Sequence, residues 1–286
     1  MELRHEANRE GRLSSFLKQE LGMSTGLVNR LKWQERIFVD GVARHNDYLV
    51  RPGQVITAFL DEPQPQYPAE NGPLTVIYED DHILAVEKNA GMLIHPSRAA
   101  NTGTLANRVL AYYQRTGQQS AFHPITRLDR DTFGIVLLAK NAHIHALFGR
   151  SDLKKTYEAW VFGGPQEETG EIDAPIARRP LPSLLLYVNQ EGKPSLTRYR
   201  VLERREGCTR LQLQPVTGRT HQLRVHCAYM GYPVLGDPQY GTAQSKEFSE
   251  KYNLSHQLLW ASCLEFTHPV TGDLMILSSA QRPVLF

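Results

Sequence analysis

The sequence predicts an α+β protein built on a mixed, largely antiparallel central sheet with flanking helices. Many segments have the apolar or alternating character of strands, and few helical patterns separate them, so repeated βαβ crossover units do not fit. Loop signals rich in Gly and Pro, such as Gly163-Gly164-Pro165, interrupt the strand-like segments. Strands are expected at 75–78, 83–87, 135–139, 157–162, 196–203, 209–214, 264–267 and 274–278.

A small α/β unit is predicted to precede this sheet, over residues 1–60. Apolar residues recur at helical spacing from Leu13 to Leu21, and Gly22 follows as a stop. Ser24 or Thr25 can cap a second helix. An Asp40-Gly41 turn and a strand near 55–60 complete a short β-unit.

A linker is predicted at residues 61–73, which are Pro-rich and polar without an apolar period. The domain boundary therefore falls there, and a larger domain spans 74–286. Within that domain, helical spacing favours helices at 104–113 and 143–150.

Composition favours a globular protein of the reducing cytoplasm. The hydrophobic fraction of 41% and the charged fraction of 22% are ordinary for such chains. The three cysteines include no CxxC pair, which argues against a disulfide framework. We see no apolar signal-peptide core and no apolar run near the ~20 residues of a membrane helix. The net charge is only +2, so an anionic partner would have to be bound by local basic patches.

A carboxylate flanked by arginines precedes the buried strand predicted at 135–139. Asp129 lies between Arg127 and Arg130, in a loop that enters the sheet. Nearby guanidinium groups favour the charged form of a carboxylate. Such a carboxylate suits nucleophilic or acid–base chemistry on an anionic substrate. The alternative is an ordinary loop with solvated ion pairs.

A second segment, Thr217-Gly218-Arg219-Thr220-His221-Gln222-Leu223-Arg224-Val225-His226, follows a predicted strand and precedes Gly236-Asp237-Pro238-Gln239-Tyr240. With the Asp129 loop, it resembles the RNA pseudouridine synthases of the RluA/RluD family. The family patterns are R-L-D-x-x-T-S-G, T-G-R-T-H-Q-I-R-x-H and G-x-P-I-x-G-D-x-x-Y. Several motifs in the same order are more specific than any single one, and the resemblance covers roughly residues 74–286.

The chain departs from the family pattern at four positions. Thr126 stands where the family usually has His, and Asn89 where it often has Pro. Phe133 replaces a Ser, and Trp260 replaces a His that is common near the end. Thr126 and Phe133 flank the catalytic loop, so these departures bear on substrate detail.

The resemblance implies that Asp129 initiates cleavage of the glycosidic bond, and leaves open whether it attacks the sugar or removes a ribose proton. Tyr157 matches the active-site tyrosine, which offers a face to uracil and a phenol for removing the proton from carbon 5. Arg224 matches the arginine that pairs with the catalytic carboxylate, and a guanidinium can hold a carboxylate bidentately. Arg127, Arg130, Arg219 and His221 are candidates for binding the substrate. Isomerisation needs no redox equivalent or group donor, so no cofactor is expected.

The N-terminal unit resembles the RNA-binding module named after ribosomal protein S four. Arg30 and Lys32 are its main candidates for phosphate contacts, with Arg36 and Arg44 as further ones. The alternative is a small accessory domain with solvated charges. This pairing of domains favours large-subunit ribosomal RNA as the partner, with tRNA as the alternative, and we expect a monomer.

Two other function classes are compatible with parts of the sequence. A metal-dependent hydrolase could use Asp129, Asp131 and the histidines, but His221, His226 and Cys227 lack a fourth ligand at zinc-site spacing, so no metal is expected. A non-catalytic RNA-binding or chaperone protein could retain a synthase scaffold. The presence of Asp129, Tyr157 and Arg224 argues against it.

Overall fold

The computed structural model describes residues 2–60, 67–97, 100–149, 151–183, 185–282 and 285. Residues 61–66 of the predicted linker lie outside this part. The helices within it are α1 (Leu13–Gln19), α2 (Thr25–Trp33), α3 (Leu105–Arg115), α4 (Ala142–Phe148), α5 (Gln222–Tyr229) and α6 (Ala243–Lys251). The strands of the N-terminal unit are β1 (Glu2–Glu6), β2 (Gly11–Arg12), β3 (Ile37–Val39), β4 (Val42–Ala43), β5 (Leu49–Val50) and β6 (Val55–Phe59).

The remaining strands are β7 (Thr75–Glu79), β8 (Ile83–Lys88), β9 (His123–Pro124), β10 (Phe133–Ala139), β11 (Lys154–Phe162), β12 (Thr169–Asp173), β13 (Ile176–Arg178), β14 (Leu186–Val188), β15 (Leu196–Arg205), β16 (Cys208–Pro215), β17 (Leu259–Thr267) and β18 (Leu274–Ser278). All eight predicted strands are present. None of the helices described is long and apolar enough to cross a membrane.

The N-terminal unit has its own sheet and its own hydrophobic core. Its four-stranded sheet has the order β1-β6-β3-β4, and α1 and α2 pack their buried apolar residues into one cluster with it. The Ser24 hydroxyl caps α2 by accepting the Leu27 N–H at 3.2 Å, as predicted. Asp40 and Gly41 both have positive φ, which gives the tight turn between β3 and β4.

A ten-stranded sheet organises the rest of the chain, with the order β12-β15-β16-β11-β17-β10-β8-β7. In addition, β18 pairs with β17, and β9 pairs with β10. Of the pairings described in this sheet, only β10 with β17 is parallel. The predicted α+β class with a largely antiparallel sheet is therefore confirmed.

Helices cover both faces of β8 and β10, the strands next to the loop that contains Asp129. Leu84 and Val86 of β8 lie beside Leu138 and Val136 of β10, and this row packs against α3. The alternate residues of both strands pack against α4 on the opposite face. Both strands are consequently buried along their whole length, which gives the loop before β10 a rigid base.

Two helices, α5 and α6, were missed by the sequence prediction. The buried face of α5 includes Gln222, Arg224 and His226, so it lacks an apolar stripe. In α6 the buried residues are Ser245 and Ser249. Polar residues that are buried through hydrogen bonds do not give the hydrophobic period on which helix prediction depends.

Strands β10 and β17 approach each other closely just after the loop 127–132 enters the sheet. Gly134, Ala261 and Tyr157 lie side by side on β10, β17 and β11. Gly134 has a φ of +107°, and a Cβ there would lie 2.3 Å from the Ala261 carbonyl oxygen. A side chain at this position would push the two strands apart, so glycine is required at the point where the loop enters the sheet.

Candidate active site

A cleft of about 770 Å³ lies next to the loop 127–132 and β11. Its walls come from the loop 127–132, from β11 and from the segment 215–224 that leads into α5. The two motifs that were far apart in the sequence therefore meet across one cavity. All of the predicted catalytic residues line it, together with four predicted binding residues: Asp129, Tyr157, Arg224, Arg127, Arg130, Arg219 and His221.

Asp129 presents its carboxylate to the cleft from a tight turn, in which the Thr132 N–H donates to the Asp129 carbonyl at 3.2 Å. The carboxylate is about one third exposed, at 29%. Its Oδ2 accepts a hydrogen bond from Nη1 of Arg224 at 3.1 Å and lies 3.8 Å from Nε2 of His221. The carboxylate is thus held from one side and open to a ligand on the other.

Arg224 makes its bidentate contact with Asp237 and not with Asp129. Its Nε and Nη2 donate to the two carboxylate oxygens of Asp237 at 2.7 and 2.9 Å, and Nη2 also donates to Gln239 at 2.7 Å. The predicted bidentate grip on Asp129 is therefore wrong. The physical reason is burial: the Asp237 side chain has no exposed surface, so it needs both hydrogen bonds, whereas the Asp129 side chain is partly exposed.

The charge of Arg224 is fixed by these carboxylates. Burial alone would lower the pKa of its guanidinium, but the hydrogen bonds and charges of Asp237 and Asp129 outweigh burial and raise it. A permanently charged donor consequently faces the carboxylate of Asp129.

Asp237 forms a tight turn and also binds Arg224, a contact that the sequence did not predict. Its Oδ1 accepts the N–H groups of Gln239 and Tyr240 at 2.9 and 3.2 Å, in addition to its bond with Arg224. The Asp of the G-D-x-x-Y motif was the sequence feature from which a partner for Arg224 could have been predicted. One carboxylate thus shapes the turn and orients the guanidinium.

His221 and Tyr240 form a hydrogen-bonded pair beside Asp129. His221 precedes α5 in a left-handed conformation, with φ 54°, and its Nδ1 lies 2.9 Å from the Tyr240 hydroxyl. That hydroxyl accepts the Leu186 N–H at 3.2 Å, which leaves its own proton for Nδ1. Burial lowers the pKa of His221, against the opposing effect of Asp129. The neutral ring then carries its proton on Nε2, facing Asp129.

Tyr157 lies on β11, half-buried between the clusters that pack on the two halves of the sheet. Burial raises the pKa of its phenol, and the charge of Asp129 raises it further. The phenol therefore keeps its proton at neutral pH. The phenol oxygen can relay a proton only if it releases its own proton as it accepts another. The face of the ring is available for stacking on a nucleobase.

Lys88 is a buried cation that sequence reasoning did not single out. Its side chain is fully buried at the end of β8, and Nζ donates to the carbonyl oxygens of Asn89 and Arg130 at 2.9 and 2.8 Å. Burial lowers the pKa of Lys88 to about 8, against the charges of Asp131 and Asp129. The ammonium ties the catalytic loop to the neighbouring strand.

Basic side chains surround the mouth of the cleft. Arg127 and Lys155 both line it, and burial, with the charge of Arg127, lowers the pKa of Lys155. Arg130 lines the cleft together with Asp129, and its ion-pair partner among the described residues is Asp131, at 2.9 Å. The Nε of Arg219 donates to the Pro194 carbonyl at 3.1 Å, which leaves its terminal nitrogens for a ligand.

Arg30 and Lys32 lie on α2 of the N-terminal unit and do not line this cleft within the part of the chain described. They project from the last turn of the helix. The structure therefore separates the predicted basic residues into two groups, one at the cleft and one on the N-terminal unit.

Two of the departures from the family pattern contact each other. The rings of Phe133 and Trp260 stack with centroids 5.9 Å apart and planes 11° apart. They pack in an apolar cluster with Trp160 and Leu258 rather than at the wall of the cleft. Thr126 is also buried, and its hydroxyl accepts the Leu137 N–H at 2.9 Å. These residues thus support the catalytic loop from inside the fold.

The histidine and cysteine considered as metal ligands have structural contacts. Both ring nitrogens of His226 lie 2.9 Å from partners, Thr197 Oγ1 and the Ala174 carbonyl oxygen. Cys227 is buried in an apolar cluster. Among the described residues, no three His, Cys, Asp or Glu side chains assemble into a group that could hold a metal ion.

The family profile described as RNA pseudouridylate synthase matches residues 82–229. An uncharacterized RNA pseudouridine synthase of Bacillus subtilis is 34% identical over 263 residues, which cover 90% of each chain. The ribosomal large subunit pseudouridine synthase D of Haemophilus influenzae is 37% identical over 226 residues, which cover 75% of this chain and 69% of that one. Human RNA pseudouridylate synthase domain containing 1 has a similar structure, with a TM-score of 0.61 and 26% identity over 76% of this chain and 86% of that chain.

Proposed function

The chain belongs to the RNA pseudouridylate synthase family and is an isomerase that acts on uridine in RNA, and we propose that its substrate is large-subunit ribosomal RNA. The observation that carries the proposed catalytic mechanism is the Asp129 carboxylate, open to the cleft and hydrogen-bonded to Arg224 at 3.1 Å. Relatives described as large-subunit synthases support the choice of RNA.

The proposed reaction begins at Asp129. The reaction detaches uracil from ribose at nitrogen 1, turns it and rejoins it through carbon 5. The target nucleotide must leave its stack to enter the cleft, and a volume of about 770 Å³ is in the range of small-molecule sites. Asp129 initiates cleavage, by attack on the sugar or by removal of a ribose proton.

Arg224 and Tyr157 complete the proposed catalytic group. Arg224 keeps the Asp129 carboxylate directed into the cleft, and its own direction is fixed by Asp237. Tyr157 offers its ring to the detached uracil and relays the proton that leaves carbon 5. Preorganised charge of this kind avoids reorganisation during the reaction.

Binding of the RNA is proposed to involve both parts of the chain. Arg127, Arg130, Arg219 and His221 bind the nucleotide and its neighbours at the cleft. A unit of residues 1–60 is joined by the 61–73 linker to the catalytic domain 74–286. It binds phosphates through the exposed Arg30 and the half-buried Lys32. We further propose that the enzyme acts as a monomer in the cytoplasm.

The test is the direct mapping of pseudouridine. The purified protein, without added metal or nucleotide and in the presence of EDTA, should form pseudouridine in ribosomal RNA isolated from a strain that lacks the gene. Asp129→Asn is the matched control. Modification confined to tRNA would replace the proposed substrate, and no pseudouridine on any RNA would contradict the proposed activity.

A further inference from the structure

The N-terminal unit exposes a tryptophan. Trp33 is the last residue of α2 and is 82% exposed, while the other two tryptophans of the chain, Trp160 and Trp260, are 2% and 1% exposed. A single exposed apolar side chain is ordinary on a protein surface. The side chains around Trp33 make this one different.

The exposed face of α2 carries the kinds of side chain that bind RNA in other proteins. Asn29 and Arg30 precede Trp33 by four and three residues, so the three side chains share one face of the helix. Lys32 places its Nζ 5.4 Å from the centre of the indole ring. About two turns before Trp33, Gly26 has no neighbouring atom within 4 Å of where a Cβ would lie. The face therefore combines an aromatic plane, cations and an amide.

The backbone under Trp33 is fixed. Glu35 has a φ of 54°, and the N–H of Arg36 donates to the Leu31 carbonyl at 3.0 Å, which ends the helix in a defined turn. On the opposite side, Leu27, Val28 and Leu31 are buried in the core of the unit. The indole is thus presented on a rigid support, which reduces the entropy lost when a ligand binds.

We propose that Trp33 is a stacking platform for an unpaired nucleobase of the RNA substrate, with Arg30 and Lys32 binding the adjacent phosphates. This inference rests on the proposed function, because it assigns a base contact to the unit proposed to bind RNA. Stacking on an aromatic side chain tolerates any base, and basic neighbours track the backbone. The positive charge of the face complements an RNA strand and disfavours a cationic partner.

The chain provides its own probe. Because Trp160 and Trp260 are buried, a change in tryptophan fluorescence on adding RNA reports mainly on Trp33. A short single-stranded RNA of mixed sequence should quench the fluorescence of the full-length protein. The blunt duplex of the same sequence should bind without comparable quenching. In Trp33→Phe the quenching should disappear while binding, followed by the anisotropy of labelled RNA, persists.

Affinity separates stacking from charge. Trp33→Ala should weaken binding of the single strand about tenfold, with an unchanged dependence on salt. Arg30→Gln should instead reduce the slope of log affinity against log salt by about 0.7. Val42→Ala, an exposed apolar residue of the same unit, is the control and should change neither property.

The outcomes distinguish this inference from the proposed function. If the wild-type protein forms pseudouridine in ribosomal RNA but RNA leaves its fluorescence unchanged, or if strand and duplex quench equally, the stacking inference is overturned and the function stands. If the single strand quenches selectively and no ribosomal pseudouridine forms, the stacking site stands and the proposed function fails.

Discussion

The N-terminal unit and the catalytic cleft use charged residues in opposite ways. On the N-terminal unit, Arg30 is exposed at the surface of a helix. In the catalytic domain, the side chains of Arg224 and Asp237 are 5% and 0% exposed and bind each other through two hydrogen bonds. Exposed charges attract RNA at little cost in stability, whereas buried charges are costly unless they are paired.

This difference separates two properties of the enzyme. The exposed residues should determine how tightly RNA binds and how strongly salt weakens the complex. The buried network should determine the rate of the chemical step and part of the stability of the fold. Substitutions in the two regions should therefore change different measured quantities.

The largest effect is expected at Asp129. Asp129→Asn should lower kcat by about 10²- to 10⁴-fold because the carboxylate is proposed to take part in the chemical step. RNA affinity and the circular dichroism spectrum should remain close to those of the wild type. Asp131→Asn is the matched control, since Asp131 pairs with the exposed Arg130, and it should retain most of the activity. An inactive Asp131→Asn with an active Asp129→Asn would move the chemistry to Asp131.

Loss of the buried partner of Arg224 should have the next largest effect. Asp237→Asn should destabilise the fold by about 3 kcal/mol or more, because it leaves a buried guanidinium without its carboxylate. It should also lower kcat, since Arg224 then loses its direction. Chemical denaturation and steady-state kinetics measure the two effects.

The matched control for Asp237 is an exposed ion pair. Glu171 pairs with Arg198 at 2.8 Å with more than half of each side chain exposed, so Glu171→Gln should change stability by less than about 1 kcal/mol. Equal losses for Asp237→Asn and Glu171→Gln would remove the contrast between buried and exposed pairs.

The buried side chain of Lys88 should make the free energy of unfolding depend on pH. Burial lowers its pKa from 10.5 to about 8, so between these values the folded chain binds fewer protons than the unfolded chain. Stability that depends on Lys88 therefore rises with pH through this window. Relative to Lys88→Met, the wild type should gain up to about 3 kcal/mol of unfolding free energy from pH 8 to 10.5. A pH-independent difference would show that Lys88 is not a buried ammonium.

Much of this arrangement was predictable from the sequence. The buried strand before Lys140 and the position of Asp129 at its entrance follow from local apolar patterns, and the family motifs identified Tyr157 and Arg224. These inferences depend on short stretches of chain. They needed no knowledge of distant contacts.

The partners of the buried charges were not predictable in the same way. Asp237 has the sequence features of a turn residue, and Lys88 those of a strand end; only the fold shows that each is fully buried. Similarly, Phe133 and Trp260 are separate departures in the sequence, and the register of β10 with β17 brings them into one stack. A contact between two strands that are distant in the sequence produces no recognisable pattern within either segment.

The smallest effect is expected at the exposed face. Reversing two charges, in Arg30→Glu with Lys32→Glu, should raise KM and leave kcat nearly unchanged, because these residues are proposed to bind phosphates and lie outside the cleft lining described. The loss of two phosphate contacts should reduce the slope of log affinity against log salt by about 1.4 to 1.8. An unchanged slope would mean that α2 does not bind RNA phosphates.

The division between the two regions is tested most directly by one kinetic salt series on the wild type, on Arg224→Lys and on the doubly charge-reversed protein. Arg224→Lys should lower kcat at every salt concentration and keep the wild-type salt dependence of KM, because an ammonium cannot span Asp237 and Asp129 as the guanidinium does. The charge-reversed protein should show the wild-type kcat with a weaker salt dependence of KM. If both variants changed the same constant in the same way, the proposed division between exposed binding and buried chemistry would be contradicted.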